Sequence, residues 1–243
     1  MTLASCDSRK TAGENPFFTE WDTPHGVPPF DKILPEHFMP AFERGMSLHE
    51  AEIDAITSNK DEATFENTIL AYDNAGQMLA QTELVFGMLC AAETNDRMQA
   101  LQEQAMPLLA AHRDKIRLDD KLFVRVKEVY DRRAALGLDA EQMRLLQKTY
   151  DSFVRAGALL DAEQKARLKE INGQLSLTAV KFGNNILAEN NNFVLELKSD
   201  ELDGLPAGIR DAAREKAQQM GKGDKWVFTL HKPSLIPLLT YST

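Results

Sequence analysis

Asp161-Ala162-Glu163-Gln164-Lys165-Ala166-Arg167-Leu168-Lys169-Glu170-Ile171-Asn172-Gly173-Gln174-Leu175-Ser176-Leu177-Thr178-Ala179-Val180-Lys181-Phe182-Gly183-Asn184-Asn185-Ile186-Leu187 reads as one long helix. Leu168, Ile171, Leu175, Thr178, Phe182 and Ile186 recur every three or four positions, which places them on one face of a 3.6-residue turn. Asp161 can accept a first-turn amide proton while Gln164 reaches back, the reciprocal arrangement of a capping box. At 1.5 Å per residue the helix should measure about 40 Å. The pentapeptide Leu-Asp-Ala-Glu-Gln that opens it also occurs at Leu138 to Gln142. Two recurrences of five residues do not make a structural repeat, so each is read as an independent helix start.

Working outward, the same period fills the body of the chain. From Glu36 to Asn59 the positions Phe38, Phe42, Met46, His49, Ile53 and Ile56 share a face, behind Pro35 where a first helical turn accepts proline. A second helix should start near Thr64 and run through Phe65, Ile69, Tyr72, Leu79, Phe86 and Cys90. A third covers Asp96 to Ile116, bent or broken where Pro107 lacks an amide donor. A fourth starts at Asp119-Asp120, buries Leu122, Val126 and Val129, and ends at Gly137. Asn190-Asn191-Asn192 reads as a turn. Beyond it Phe193 to Leu197 and Lys225 to Leu230 are β-prone, with a short helix from Gly204-Leu205-Pro206 through Met220 between them. The fold expected is mainly α, a multi-helix lobe with a small two-stranded β element near the C-terminus. Residues 1–14 read as a polar tether, 15–189 as a helical body and 190–243 as a mixed α/β segment. The large apolar groups of the last stretch, Leu235-Ile236-Pro237-Leu238-Leu239, lead us to expect further polypeptide beyond Thr243.

Composition narrows the function. With 43% hydrophobic and 27% charged residues the chain has the balance of a globular protein. Its 37 acidic against 28 basic residues give a formal net charge of -9, which argues against nucleic-acid binding. No run of about 18 apolar residues offers a transmembrane helix. Cys6 and Cys90 do not make a disulfide framework, and Cys90 falls in an apolar helical register as a small core hydrophobe. Leu3-Ala4-Ser5-Cys6 has the form of a bacterial lipobox, with Asp7 to Glu14 as the tether after a lipidated Cys6. The charged and apolar regions of a signal peptide are missing from this sequence, so that reading requires a longer precursor. It would place the chain in the cell envelope or periplasm; without it the expectation is cytoplasmic.

Motifs that carry chemistry are sparse. His49-Glu50-Ala51-Glu52-Ile53 has the first half of a zincin helix, in which two histidines four apart bind zinc, but Ile53 stands where the second should be. His49 is therefore read as a partly buried structural residue. His25, His37, His112 and His231 show no ligand spacing. No nucleophile elbow, phosphate loop or Cys-x-x-Cys pair is present. Glu50 with Glu52, Asp119 with Asp120, and Asp200 with Glu201 and Asp203 read as solvated faces and turns. Glu66-Asn67 and Asn184-Asn185 lie near apolar faces, where a polar group most simply bonds neighbouring backbone. The expectation is no catalytic residue and no metal ligand in this chain.

Several segments nevertheless resemble a known family. Asn15-Pro16-Phe17-Phe18, Pro29-Phe30-Asp31-Lys32-Ile33, Glu36-His37-Phe38-Met39-Pro40-Ala41-Phe42-Glu43 and Thr64-Phe65-Glu66-Asn67-Thr68-Ile69 are similar to the opening of the peptidyl-dipeptidase branch of the thimet oligopeptidase family of zinc peptidases. Phe153-Val154-Arg155-Ala156-Gly157-Ala158, Lys181-Phe182-Gly183-Asn184-Asn185 and Lys225-Trp226-Val227-Phe228-Thr229-Leu230 continue the likeness in order. The resemblance implies two largely helical lobes across a deep channel and a zinc held by a His-Glu-x-x-His helix with a downstream glutamate. It also implies release of dipeptides from the C-termini of short peptides. Those ligands would lie beyond this chain, which corresponds to roughly the first third of such a protein. The expected role is thus an N-terminal channel wall, inactive alone, whose partners are short peptides and the missing catalytic region. The alternative is a stand-alone helical module that binds peptides or proteins.

Overall fold

A computed structural model describes residues 14–242. Two compact units emerge, one ending at Val180 and the next beginning at Lys181.

The first unit begins with a stitched segment. Asn15 Oδ1 accepts from the Phe17 amide at 3.1 Å and Asn15 Nδ2 donates to the His37 carbonyl at 2.8 Å, holding the short Pro16–Phe18 turn to the start of α1, Phe38–Ser58. Thr64 caps a π-helical stretch, Phe65–Leu70, which runs into α2, Ala71–Asp73. α3, Gln77–Ala92, and α4, Asp96–Arg117, follow. α5, Asp120–Asp131, starts where Asp119 accepts from the Leu122 amide at 2.8 Å. α6, Ala140–Arg155, and α7, Ala162–Asn192, each open on the expected capping box, Asp139 with Gln142 and Asp161 with Gln164.

Two apolar clusters hold the helices from α1 to α6. Phe17, Phe38, Phe42 and Phe86 pack with ring centroids 4.9 Å apart for Phe38 and Phe86 and 5.3 Å for Phe42 and Phe86. That geometry favours tilted and edge contacts over face-to-face stacking. The second cluster gathers Ile53, Ile69, Leu122, Val126, Val129, Leu146 and Phe153 from α1, the π-helical stretch, α5 and α6. Gly45 lets α1 approach α3, since a Cβ there would lie 3.0 Å from the Leu79 Cα.

In the second unit β1, Leu195–Leu197, pairs antiparallel with β2, Trp226–Phe228, in the register Leu195 to Phe228 and Leu197 to Trp226. α8, Ala207–Gln219, covers the ribbon, with Leu202, Leu205, Ala213 and Phe228 as its small core. α9, Lys232–Tyr241, follows with Ile236 and Leu239 exposed.

The mainly α fold with a two-stranded element is as expected, but several local readings need correction. The helix expected from Thr64 to Cys90 is divided at Gly76, whose φ of 75° lies in the left-handed region that glycine tolerates. α4 runs through Pro107 unbroken. α5 ends at Asp131, and a separate 3-10 turn, Arg133–Ala135, precedes Gly137. Asn190 to Asn192 form the last turn of α7 instead of a loop. The helix read from Asp161 is as expected, and its apolar face stands open: Ile171, Leu175, Phe182 and Ile186 are 43%, 63%, 66% and 46% exposed. Periodicity reports that a helix has an apolar stripe; it does not report whether a partner covers it.

Candidate functional site

His49 and His112 are 63 residues apart in sequence, yet α1 and α4 bring their rings together, with His112 Nε2 and His49 Nδ1 3.0 Å apart. Glu50 Oε1 lies 3.5 Å from His112 Nδ1, and Lys115 Nζ lies 2.8 Å from Glu50 Oε2. Glu52 turns the other way and accepts the Gly76 amide proton at 2.7 Å. The Gly76 backbone passes under His49, where a Cβ would lie 2.9 Å from His49 Nδ1. This corrects the reading of Glu50 and Glu52 as merely solvated: they tie α1 to α4 and to the turn before α3.

The imidazole pair borders a cavity of about 500 Å³ lined also by Tyr72, Leu79, Glu83, Leu84, Arg113, Ile116 and Arg117. A cavity with an apolar floor and a few convergent polar groups is the usual form of a ligand site. Burial pushes both imidazoles below the ordinary histidine range; for His49 the neighbouring His112 adds to this, while the carboxylates of Glu52 and Glu50 oppose it, and Glu50 opposes it at His112. A neutral pair satisfies the contact, one ring nitrogen donating and the other accepting. Burial also raises the Glu83 carboxyl, against the pull of Arg113 at 3.2 Å, and raises the Tyr72 hydroxyl.

A pH dependence of stability follows. The folded chain binds protons at these imidazoles less readily than the unfolded chain, so this contribution is complete above the unfolded pKa of about 6.5 and is lost as pH falls through the lower folded values. Glu83, shifted upward, contributes with the opposite sign. We expect the melting temperature to fall between about pH 7.5 and 5, and the fall to be smaller in His112→Gln, in which Glu83 is intact. Equal pH profiles for the two proteins would remove the imidazole pair from the account.

No serine or cysteine lines the cavity. Among the described residues no group of three or more His, Cys, Asp or Glu is arranged to hold a metal ion, so these side chains do not fit a zinc site. His37 is buried, its Nδ1 accepting from the Leu34 amide at 3.1 Å. His25 occupies a tight turn with φ 59°, and His231 stands at the start of α9. Cys90 is half-buried against the aromatic cluster, and burial raises its thiol pKa. Cys6 lies outside the described residues.

A second polar group lies between the π-helical stretch and α5. Asn67 Oδ1 accepts from the Thr64 amide at 2.8 Å and from Arg125 at 3.1 Å, while its Nδ2 donates to the Glu62 carbonyl at 2.9 Å. Arg125 also donates to the Asn59 and Asp61 carbonyls at 3.0 and 3.1 Å. This is the backbone-bonding role expected for Asn67. Arg125 was not foreseen, because a single arginine among the valines of α5 carries no signal of its partners.

With this geometry in view, kinship is informative. The chain is 37% identical over 226 residues to dipeptidyl carboxypeptidase of Escherichia coli (strain K12), a match that takes in 93% of this chain and 33% of that protein. It is 35% identical over 226 residues to dipeptidyl carboxypeptidase of Salmonella typhimurium, with the same coverage. Oligopeptidase A of E. coli (strain K12) is 24% identical over 220 residues, covering 90% of this chain and 32% of that protein. No family model matches the chain. Over nearly its whole length the chain is thus similar to known peptidases. In particular, the chain is a relative of the thimet oligopeptidase family, with higher identity to its dipeptidyl carboxypeptidases than to oligopeptidase A. It spans about a third of the length of the curated relatives it matches.

Proposed function

We propose that this chain forms the N-terminal, channel-wall part of a zinc-dependent peptidyl-dipeptidase that releases dipeptides from the C-termini of short peptides. The observation that carries this reading is 37% identity to a dipeptidyl carboxypeptidase over 226 residues that contain no His-Glu-x-x-His helix. The residues present supply shape and the catalytic region of the complete protein supplies zinc and peptide-bond cleavage. A wall of packed helices restricts a cleft to unfolded oligopeptides, since a folded domain roughly 30 Å across does not enter it. The uncovered apolar stripe of α7 and the exposed Ile236 and Leu239 of α9 support a further packing partner, because exposed patches of this kind mark docking surfaces. In this reading Cys6 carries the acyl group that holds the protein in the cell envelope.

The test is a comparison of two proteins. The chain alone should release no dipeptide from a blocked oligopeptide substrate at any zinc concentration. A chimera in which the chain replaces the matching segment of the E. coli dipeptidyl carboxypeptidase should retain the release of dipeptides. An inactive but folded chimera would count against the assignment.

A further inference from the structure

Arg113 and Arg117 stand one turn apart at the end of α4 and line two cavities at once. On one side is the cavity of the imidazole pair, whose apolar floor comes from Leu79, Leu84 and Ile116. On the other is a second cavity of about 360 Å³, where Arg155, the last residue of α6, joins them opposite Leu168 and Leu175. Three arginines therefore line this one cavity in a chain whose formal net charge is -9.

Their internal neutralisation is incomplete. Arg113 holds Glu83 at 3.2 Å, and Asp114, the acidic group of the second cavity, is engaged by Asn172 Nδ2 at 2.8 Å. Arg117 lies beside the Tyr72 hydroxyl. Among the described residues no ion pair ties a carboxylate to Arg117 or to Arg155. Helix C-termini attract cations, which accounts for arginines at the ends of α4 and α6. That attraction does not require them to face a common hollow.

Guanidinium groups bind carboxylates through two parallel N–H donors. A small aqueous anion such as phosphate would gain nothing from Leu168, Leu175 and Ala179 of the second cavity, whereas a carboxylate with an apolar body would bury it there. We propose that Arg113, Arg117 and Arg155 form a binding site for an organic carboxylate with a small apolar body, the class to which the free C-terminus of a short peptide belongs. The anion site stands on the arginines and the two cavities. That its natural ligand is a peptide rests on the function proposed above.

Calorimetric titration tests both parts with five probes: N-acetyl-leucine, the tripeptide glycyl-leucyl-leucine, the amide of each, and inorganic phosphate. The free acids should bind in the millimolar range and their amides about tenfold more weakly or worse. Arg117→Gln and Arg155→Gln should each weaken the acids about tenfold, while Arg210→Gln on α8 should leave them unchanged. All three residues are exposed, so the variants should fold, and matching circular-dichroism melts verify this. Equal affinity for acid and amide, phosphate binding as tight as N-acetyl-leucine, or indifference to both substitutions would overturn the site. A tripeptide acid no tighter than N-acetyl-leucine would uphold the anion site and count against the peptide reading.

Discussion

Phe153→Ala should lower the unfolding free energy by about 3–5 kcal/mol, the range for removing a fully buried aromatic side chain. Phe153 is 0% exposed, with its ring centroid 5.2 Å from Tyr72 and 6.1 Å from Phe123. Truncation opens a cavity among α2, α5 and α6 that no neighbour can fill, because Leu146 and Val126 are equally buried. Against a total of roughly 5–15 kcal/mol for a domain, that is a large fraction. Leu175→Ala is the contrasting case: at 63% exposure it should change stability by about 0.5 kcal/mol or less. Urea denaturation of the two variants distinguishes the packed face from the uncovered one, and equal losses would contradict the core described above.

Arg125→Ala should cost about 3 kcal/mol through a different mechanism. The guanidinium joins the Asn59 and Asp61 carbonyls to Asn67 Oδ1, closing the segment between α1 and the π-helical stretch against α5. Deletion leaves three part-buried acceptors with fewer donors than they had, and an unmade hydrogen bond away from water costs more than a made one contributes. Arg125→Lys should recover only part of the loss, since one ammonium cannot reproduce the planar fork. The Arg125 Nε makes no hydrogen bond, so the two terminal nitrogens carry the effect. Equilibrium unfolding of the two variants measures this, and a near-neutral Arg125→Ala would show that the three acceptors find water instead.

The parts of the fold legible in the sequence were those set by local chemistry. Asp139 with Gln142 and Asp161 with Gln164 announced helix starts because both partners of each capping box lie within one turn. The β element was visible because Phe193 to Leu197 and Lys225 to Leu230 are short β-prone stretches next to turn residues. What stayed hidden depended on distant residues. His112 sits in the apolar register of α4 with Leu109 and Ile116, a signal of burial, but nothing local says that the facing side chain is His49. The same holds for Arg125, whose partners lie 58 to 66 residues away. The stripe of α7 marks the limit of a pattern: its period announces the helix, while its exposure depends on what packs against it, which no spacing reports.

Peptide hydrolysis by the isolated chain tests the central claim most directly. Incubated with a blocked oligopeptide and added zinc, the purified 243-residue chain should yield no free dipeptide, because in the proposed reading cleavage belongs to the catalytic region of the complete protein, and among the described residues no group of three or more His, Cys, Asp or Glu is arranged to hold a metal ion. Dipeptide release that copurifies with the chain and is abolished by a chelator would contradict the account.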